Sequence, residues 1–118
     1  MKFNPNLPIY LQVMDEIKKE IVTQVYLPQQ KIPSVRELAL KYNVNPNTIQ
    51  KALSELEREE LLRSERAIGR FVTDNLEVIE QLRISLSTDA VKEYVTKMEI
   101  LGFSREEMAK VVEEYETK

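Results

Sequence analysis

The sequence predicts a mainly α protein with one small β-hairpin, and three observations support this fold class. Apolar residues recur at every third or fourth position over most of the chain, which is the spacing of amphipathic helices. Residues 62–73 instead form two short runs around Gly69, a pattern typical of a two-stranded hairpin. The length of 118 residues suits one domain, or one domain with a short appendage.

The first helix is predicted from Ile9 to about Val25. Its apolar positions keep an i, i+3 or i+4 rhythm and comprise Tyr10, Val13, Met14, Ile17, Ile21 and Val25. An apolar stripe usually faces a core, so we interpret this segment as a packing helix. Leu27 and Pro28 are expected to end it, and a loop then leads to Pro33.

Residues 31–60 predict two helices joined by a tight turn. Ser34 is suited to cap the first helix, and Glu37, three residues later, can close a capping box. The turn is expected at residues 42–44. Asn45 is then a second N-cap, with Pro46 at the first helical position, where proline is best tolerated.

The second of these helices has an apolar face and a polar face. The apolar face carries Ile49, Ala52, Leu53 and Leu56, and the polar face carries Asn47, Gln50, Lys51 and Ser54. Amide side chains near the start of an exposed helix suit a helix that enters a DNA major groove by its N-terminal end. Asn and Gln can pair there bidentately with adenine, and Lys can reach guanine or phosphate.

Four stretches occur in order along this region: IPSVRELA, NVNPNTIQKAL, ELEREELL and GRFV. Together they resemble the winged helix-turn-helix of the GntR family of bacterial transcription regulators, over roughly residues 5–75. The chain resembles the YtrA-type subfamily in particular. The features that carry this resemblance are the stretch VNPNT, the short chain and the N-terminal PIYLQVMDEIKKEI. The resemblance implies a homodimer that acts on a palindromic operator, most often as a repressor, with any small-molecule effector unidentified.

The same resemblance implies which residues contact DNA. In the two helices they are Arg36, Asn45, Asn47, Thr48 and Gln50, to which the chemistry of the polar face adds Lys51. The hairpin corresponds to the wing, whose tip approaches the minor groove. Relatives commonly have a glycine, a basic residue and a glycine at this tip, whereas Ala67, Ile68 and Gly69 stand here. We therefore expect the wing contacts at Arg66, Gly69 and Arg70. The alternative is a hairpin that only covers the core.

Residues 76–118 are predicted to form two further helices. The first runs from Leu76 to Leu101, and the stretch from Ser85 to Asp89 has a lower helix propensity that can bend or interrupt it. Gly102 supplies a stop, and Ser104 with Glu107 begins the last helix.

Such a short helical region cannot close a core of its own, so it must pack on the first domain or on a second chain. We favour dimerisation, because symmetric dimers are the commonest oligomers. The expected interface comprises Leu82, Leu86, Tyr94, Val95 and Met98. The predicted division is a winged helix-turn-helix domain over residues 1–75 and a dimerisation region over residues 76–118.

Charge and composition separate three functional classes. The net charge is −3, but residues 1–75 carry 11 Lys and Arg against 10 Asp and Glu, whereas residues 76–118 carry 6 against 10. The acidity therefore lies in the C-terminal third, away from the expected DNA-contacting helix. The weak positive charge keeps a second class open, a helical protein-interaction module that no longer binds DNA.

The third class, an enzyme, finds no support in the composition. The chain has no His and no Cys, so the common nucleophile–base pairs and the usual zinc ligands are missing. No cofactor is expected. The sequence has no run of about 18 apolar residues and no apolar core of a secretory signal at its N-terminus. These features predict a cytoplasmic protein and no membrane partner.

Overall fold

The computed structural model describes residues 2–116, which contain five helices and one antiparallel hairpin. The elements are α1 (Ile9–Val22), α2 (Val35–Tyr42), α3 (Pro46–Arg58), β1 (Leu62–Glu65), β2 (Gly69–Val72), α4 (Leu76–Ile100) and α5 (Arg105–Glu114). This architecture confirms the predicted fold class, in which a helical N-terminal domain with a hairpin precedes two C-terminal helices.

The chain divides into two compact units, Met1–Leu82 and Arg83–Lys118. The expected boundary after Asn75 coincides with the start of α4, but the compact N-terminal unit continues into that helix. Val78, Ile79 and Leu82 are partly buried and pack against the core of the N-terminal unit. The first turns of α4 therefore complete this core.

The core of the N-terminal unit lies between α1, α2, α3 and the hairpin. Its largest fully buried side chains are Val13, Ile17, Ile21, Leu38, Ile49, Leu53, Leu56 and Val72. Those of α1 and of α3 lie three or four residues apart, so the periodic stripes of these helices face the core. The hairpin adds Leu62 and Val72, which face each other across the two strands.

The first helix ends earlier than the sequence predicted. Helix α1 stops at Val22, and Gln24 adopts a left-handed conformation with φ of 65°. The N–H of Val25 then donates to the carbonyl of Glu20 at 2.9 Å, which satisfies one of the last carbonyls of the helix. Val25 is consequently 59% exposed instead of extending the apolar stripe. Glycine usually occupies a left-handed position after a helix, whereas Gln24 occupies it here. The sequence therefore contained no residue that indicates the end of α1.

Helices α2 and α3 begin with the caps that the sequence predicted. The Ser34 hydroxyl accepts from the N–H of Glu37, and the Glu37 carboxylate accepts from the N–H of Ser34, both at 3.1 Å. Asn43, with φ of 54°, closes α2 in the left-handed conformation. The Asn45 side chain accepts from the N–H of Asn47 at 2.8 Å, with Pro46 in the first turn of α3. These contacts fix the sharp turn between the two helices.

The hairpin is extended by a third chain segment. Strands β1 and β2 pair from Leu62 with Val72 to Glu65 with Gly69. Residues 29–32 run along the other edge of β2: the N–H of Ile32 donates to the carbonyl of Arg70 at 3.0 Å, and Lys31 lies opposite Phe71. Gln29, at the start of this segment, adopts φ of 68°. A residue with a Cβ therefore occupies a left-handed position that favours glycine.

Ala67 at the tip of the hairpin also adopts a left-handed conformation, with φ of 65°. We expect Ala67→Gly to raise the free energy of unfolding by about 1 kcal/mol, because this conformation is unfavourable for residues with a Cβ. Ser54→Gly, at an exposed position within α3, should lower it by about half a kcal/mol, because glycine is a poor helix former. Urea titrations of both variants test this, and a destabilised Ala67→Gly would contradict the conformation described for the tip.

The C-terminal unit contains the rest of α4 and α5. Helix α4 continues through residues 85–89 without interruption, and the hydroxyls of Ser87 and Thr88 donate to the carbonyl of Ile84 at 2.7 and 3.0 Å. Gly102, with φ of 85°, ends the helix as predicted, and Ser104 with Glu107 forms the predicted capping box of α5. Between residues 2 and 116 no helix is long and apolar enough to cross a membrane.

The C-terminal unit buries little of its apolar surface within itself. Met108 is 3% exposed, and the Tyr94 hydroxyl donates to its carbonyl at 2.8 Å. Other large apolar side chains of this unit are exposed: Ile84, Val91, Ile100, Leu101, Val111, Val112 and Tyr115. The shortage of buried residues agrees with the expectation that two helices cannot form a core alone.

Candidate nucleic-acid interface

The polar face of α3 is exposed. Its four predicted side chains, Asn47, Gln50, Lys51 and Ser54, are exposed. The apolar side chains of the opposite face are at most 1% exposed. The burial of the apolar face fixes the rotation of α3 about its axis, so the amides of Asn47 and Gln50 must face outwards near the start of the helix.

Asn45 and Thr48 differ from these two amides. The side-chain oxygen of Asn45 already accepts from the N–H of Asn47, so the orientation of this amide is set by the cap, and its NH₂ group remains to donate to a partner. Thr48 is half-buried. Asn45 is thus held in the cap of α3 and Thr48 is partly covered, whereas Asn47 and Gln50 are exposed.

Lys51 is positioned by an aromatic ring from α1. Its ammonium nitrogen lies 4.1 Å from the centroid of the Tyr10 ring, which is within the range of a cation–π contact. Tyr10 was predicted only as a member of the apolar stripe of α1, where it packs partly buried against the core. The two residues are far apart in the sequence, so no local pattern signalled this contact.

Arg36 is exposed in the first turn of α2. Over residues 2–116 no ion pair involves its guanidinium group. Arg36 lines a shallow depression. The same depression is lined by Leu40 of α2, by Asn43 of the turn that follows, and by Pro46 of α3. The structure therefore brings Arg36 close to the start of α3.

The two arginines of the hairpin are not equally available. Arg66 is exposed at the tip. Arg70 is only 18% exposed, and its Nε donates to the carboxylate of Glu57 on α3. The same carboxylate oxygen accepts from the Ser64 hydroxyl at 2.7 Å. Arg70 therefore ties the hairpin to α3, and its guanidinium group is not presented to solvent as Arg66 is.

The charge state of Glu57 agrees with this arrangement. Partial burial alone would raise the pKa of its carboxyl group, but the hydrogen bonds from Ser64 and Arg70 outweigh that effect and lower the pKa below its ordinary value. Glu57 is therefore ionised at neutral pH and keeps Arg70 paired. In the part of the chain that the structure describes, no group of three or more carboxylates is placed to hold a metal ion.

Comparison with known proteins identifies this arrangement. Residues 9–72 match the gntR family of bacterial regulatory proteins. The chain belongs to the GntR family. It is 39% identical to the HTH-type transcriptional regulator YhcF of Bacillus subtilis (strain 168), over 91% of this chain and 88% of that protein. It is 30% identical to the HTH-type transcriptional repressor YtrA of the same organism, over 91% and 83%.

Solved structures of GntR proteins give the same result. A GntR family transcriptional regulator from Listeria monocytogenes superimposes with a TM-score of 0.89 at 38% identity, covering 97% of this chain and 100% of the other. AraR(DBD) in complex with operator ORX1 superimposes with a TM-score of 0.58 at 38% identity, covering 62% of this chain and 93% of the other. The resemblance to YtrA-type GntR regulators is thereby confirmed, and these relatives are transcription regulators, not enzymes.

Proposed function

We propose that this GntR chain is a sequence-specific DNA-binding regulator that acts in the cytoplasm as a homodimer on a palindromic operator, most simply as a repressor. The observation that carries the proposal is the exposed face of α3, where Asn47 and Gln50 lie at the start of a helix fixed by its buried side. AraR(DBD), a relative at 38% identity, has been solved with operators, and YtrA is named a repressor.

Exposed cations lie on both helices of the motif and on the hairpin. They are Arg36 in the first turn of α2, Lys51 on the polar face of α3 and Arg66 at the tip of the hairpin. Cationic side chains at such positions contact phosphates and set the register of a reading helix without specifying sequence. Their number is small, in agreement with the near balance of 11 Lys and Arg against 10 Asp and Glu over residues 1–75.

Dimerisation is supported by the apolar surface of the C-terminal unit. Leu86, Tyr94, Val95 and Met98 of the expected interface remain half-buried in the single chain, whereas Leu82 packs against the core of the N-terminal unit. The expected interface therefore contains two sets of residues with different roles. A second copy would cover the half-buried set and the exposed apolar residues of the same unit. A two-fold dimer presents its reading helices to a two-fold symmetric site.

A salt-dependent gel shift tests the proposal against the alternative of a protein-interaction module. The full chain is titrated onto duplex DNA from its own upstream region and onto random duplex, between about 50 and 200 mM salt. A regulator should bind both, prefer its own region, and lose affinity steeply as salt rises. An interaction module without DNA affinity would shift neither duplex at the lowest salt.

Arg36 and Lys51 are expected to act on affinity rather than on sequence preference. Arg36→Ala and Lys51→Ala should each weaken binding to every duplex and lower the slope of log K against log salt by about 0.9, because each removes one phosphate contact. The measurement is the salt titration of each variant. A variant that keeps the slope but loses preference at one base pair would show that its residue reads a base.

A further inference from the structure

Lys31 lies across the wing at the place where Gly69 has no side chain. A Cβ built on Gly69 would come within 2.8 Å of Cε of Lys31 and within 3.8 Å of its Nζ. The lysine side chain therefore passes over the hairpin directly at this glycine. Gly69 also has φ of 142°, a conformation that residues with a Cβ rarely adopt.

The backbone around Lys31 fixes this placement. Residues 29–32 pair along β2, with hydrogen bonds from the N–H of Ile32 to the carbonyl of Arg70 and from the N–H of Val72 to the carbonyl of Gln30, at 3.0 and 2.9 Å. Lys31 lies opposite Phe71 in this pairing. Gly69 is the diagonal neighbour, two residues along the paired strand, which a long side chain reaches.

The charge of Lys31 is free to act on a partner. Among residues 2–116 no salt bridge includes Lys31, and its side chain is exposed. The hydrogen bonds with Ser34 lower the pKa of the Glu37 carboxyl group most, and the charge of Lys31 lowers it less. Lys31 borders a groove of about 160 Å³ whose other walls include Ser34, Val35 and Ile68, between the hairpin and the start of α2.

The hairpin itself has few free cations. Ala67 and Ile68 at the tip are apolar, and Arg63 and Arg70 are paired with Glu65 and Glu57. We propose that Lys31, from the segment preceding α2, supplies a phosphate contact at the wing, and that Gly69 provides the room for its side chain. The proposal rests on the DNA-binding function proposed above.

Substitution of Lys31 by methionine removes the charge and keeps an apolar side chain, and so tests the phosphate contact assigned to Lys31. The full-length variants Lys31→Met and Lys31→Arg are titrated onto a random duplex between about 50 and 200 mM salt, beside the unsubstituted protein. Lys31→Met should lower the slope of log K against log salt by about 0.9, and Lys31→Arg should keep it. Lys97→Met is the matched control, because Lys97 lies in the C-terminal unit and pairs with Glu93. Its slope should equal that of the unsubstituted protein.

The outcomes separate the two proposals. If the unsubstituted protein binds with a steep salt slope and Lys31→Met has the same slope, the assignment of Lys31 is wrong while the DNA-binding function stands. If the unsubstituted protein binds no duplex at the lowest salt, the proposed function fails and the assignment of Lys31 fails with it. A lower melting temperature of Lys31→Met with an unchanged slope would assign Lys31 to the fold alone and also overturn the inference.

Discussion

Removal of residues 83–118 is expected to give a folded monomer that binds its operator about 10²–10⁴-fold more weakly than the full chain. The loss follows because two linked half-site contacts act together in a dimer, whereas a monomer makes each contact separately. The N-terminal unit has its own core, so the shortened chain should still unfold cooperatively. Light scattering and operator titrations of the two chains measure the effect.

The position of the cut provides a control. A chain that ends at Asn75 lacks Val78, Ile79 and Leu82, which cover part of the core. It should therefore be less stable than the chain that ends at Leu82, although both should be monomeric. If light scattering of the full chain shows a monomer at micromolar concentration, the C-terminal unit is not the dimerisation region.

Asn47→Ala and Gln50→Ala are expected to change sequence preference without changing stability. Both side chains are exposed, so the free energy of unfolding should change by no more than about half a kcal/mol. An amide that pairs with one adenine discriminates by roughly 1–3 kcal/mol, and this preference should disappear at one position in each half-site. The measurements are a melting curve and titrations against operators with single-base changes.

Ser54→Ala is the matched control for these two variants. Ser54 is exposed on the same face of α3, but it lies further from the N-terminal end of the helix. Its free energy of unfolding should rise by no more than about half a kcal/mol, because alanine is the better helix former, and its sequence preference should stay unchanged. If the Asn47 and Gln50 variants behave like Ser54→Ala, their amides are ordinary solvated residues and α3 does not read DNA.

Local features of the fold could be predicted from the sequence because their partners are close along the chain. The caps at Ser34, Asn45 and Ser104 each join residues two or three positions apart. The rotation of α3 follows from the periodic burial of its apolar side chains. The face that carries Asn47 and Gln50 was therefore predictable with the helix itself.

Contacts between distant segments could not be predicted in this way. The pairing of Arg70 with Glu57, and the placement of Lys51 on Tyr10, depend on how the hairpin and α1 pack on α3. The end of α1 was missed because Gln24 adopts a conformation that usually indicates glycine. The helical spacing of the apolar residues also placed Leu82 and Met98 in one predicted interface. In the structure Leu82 instead packs against the core of the N-terminal unit.

The most direct test of the proposed function is a footprint of the full-length protein on its own upstream DNA. We expect two protected half-sites related by two-fold symmetry, with centres one helical turn of about 10 bp, or a multiple of it, apart. Asn47→Ala should weaken protection of both half-sites equally. Absence of protection at low salt, or protection of a single site without a symmetric partner, would contradict a dimer that reads DNA through α3.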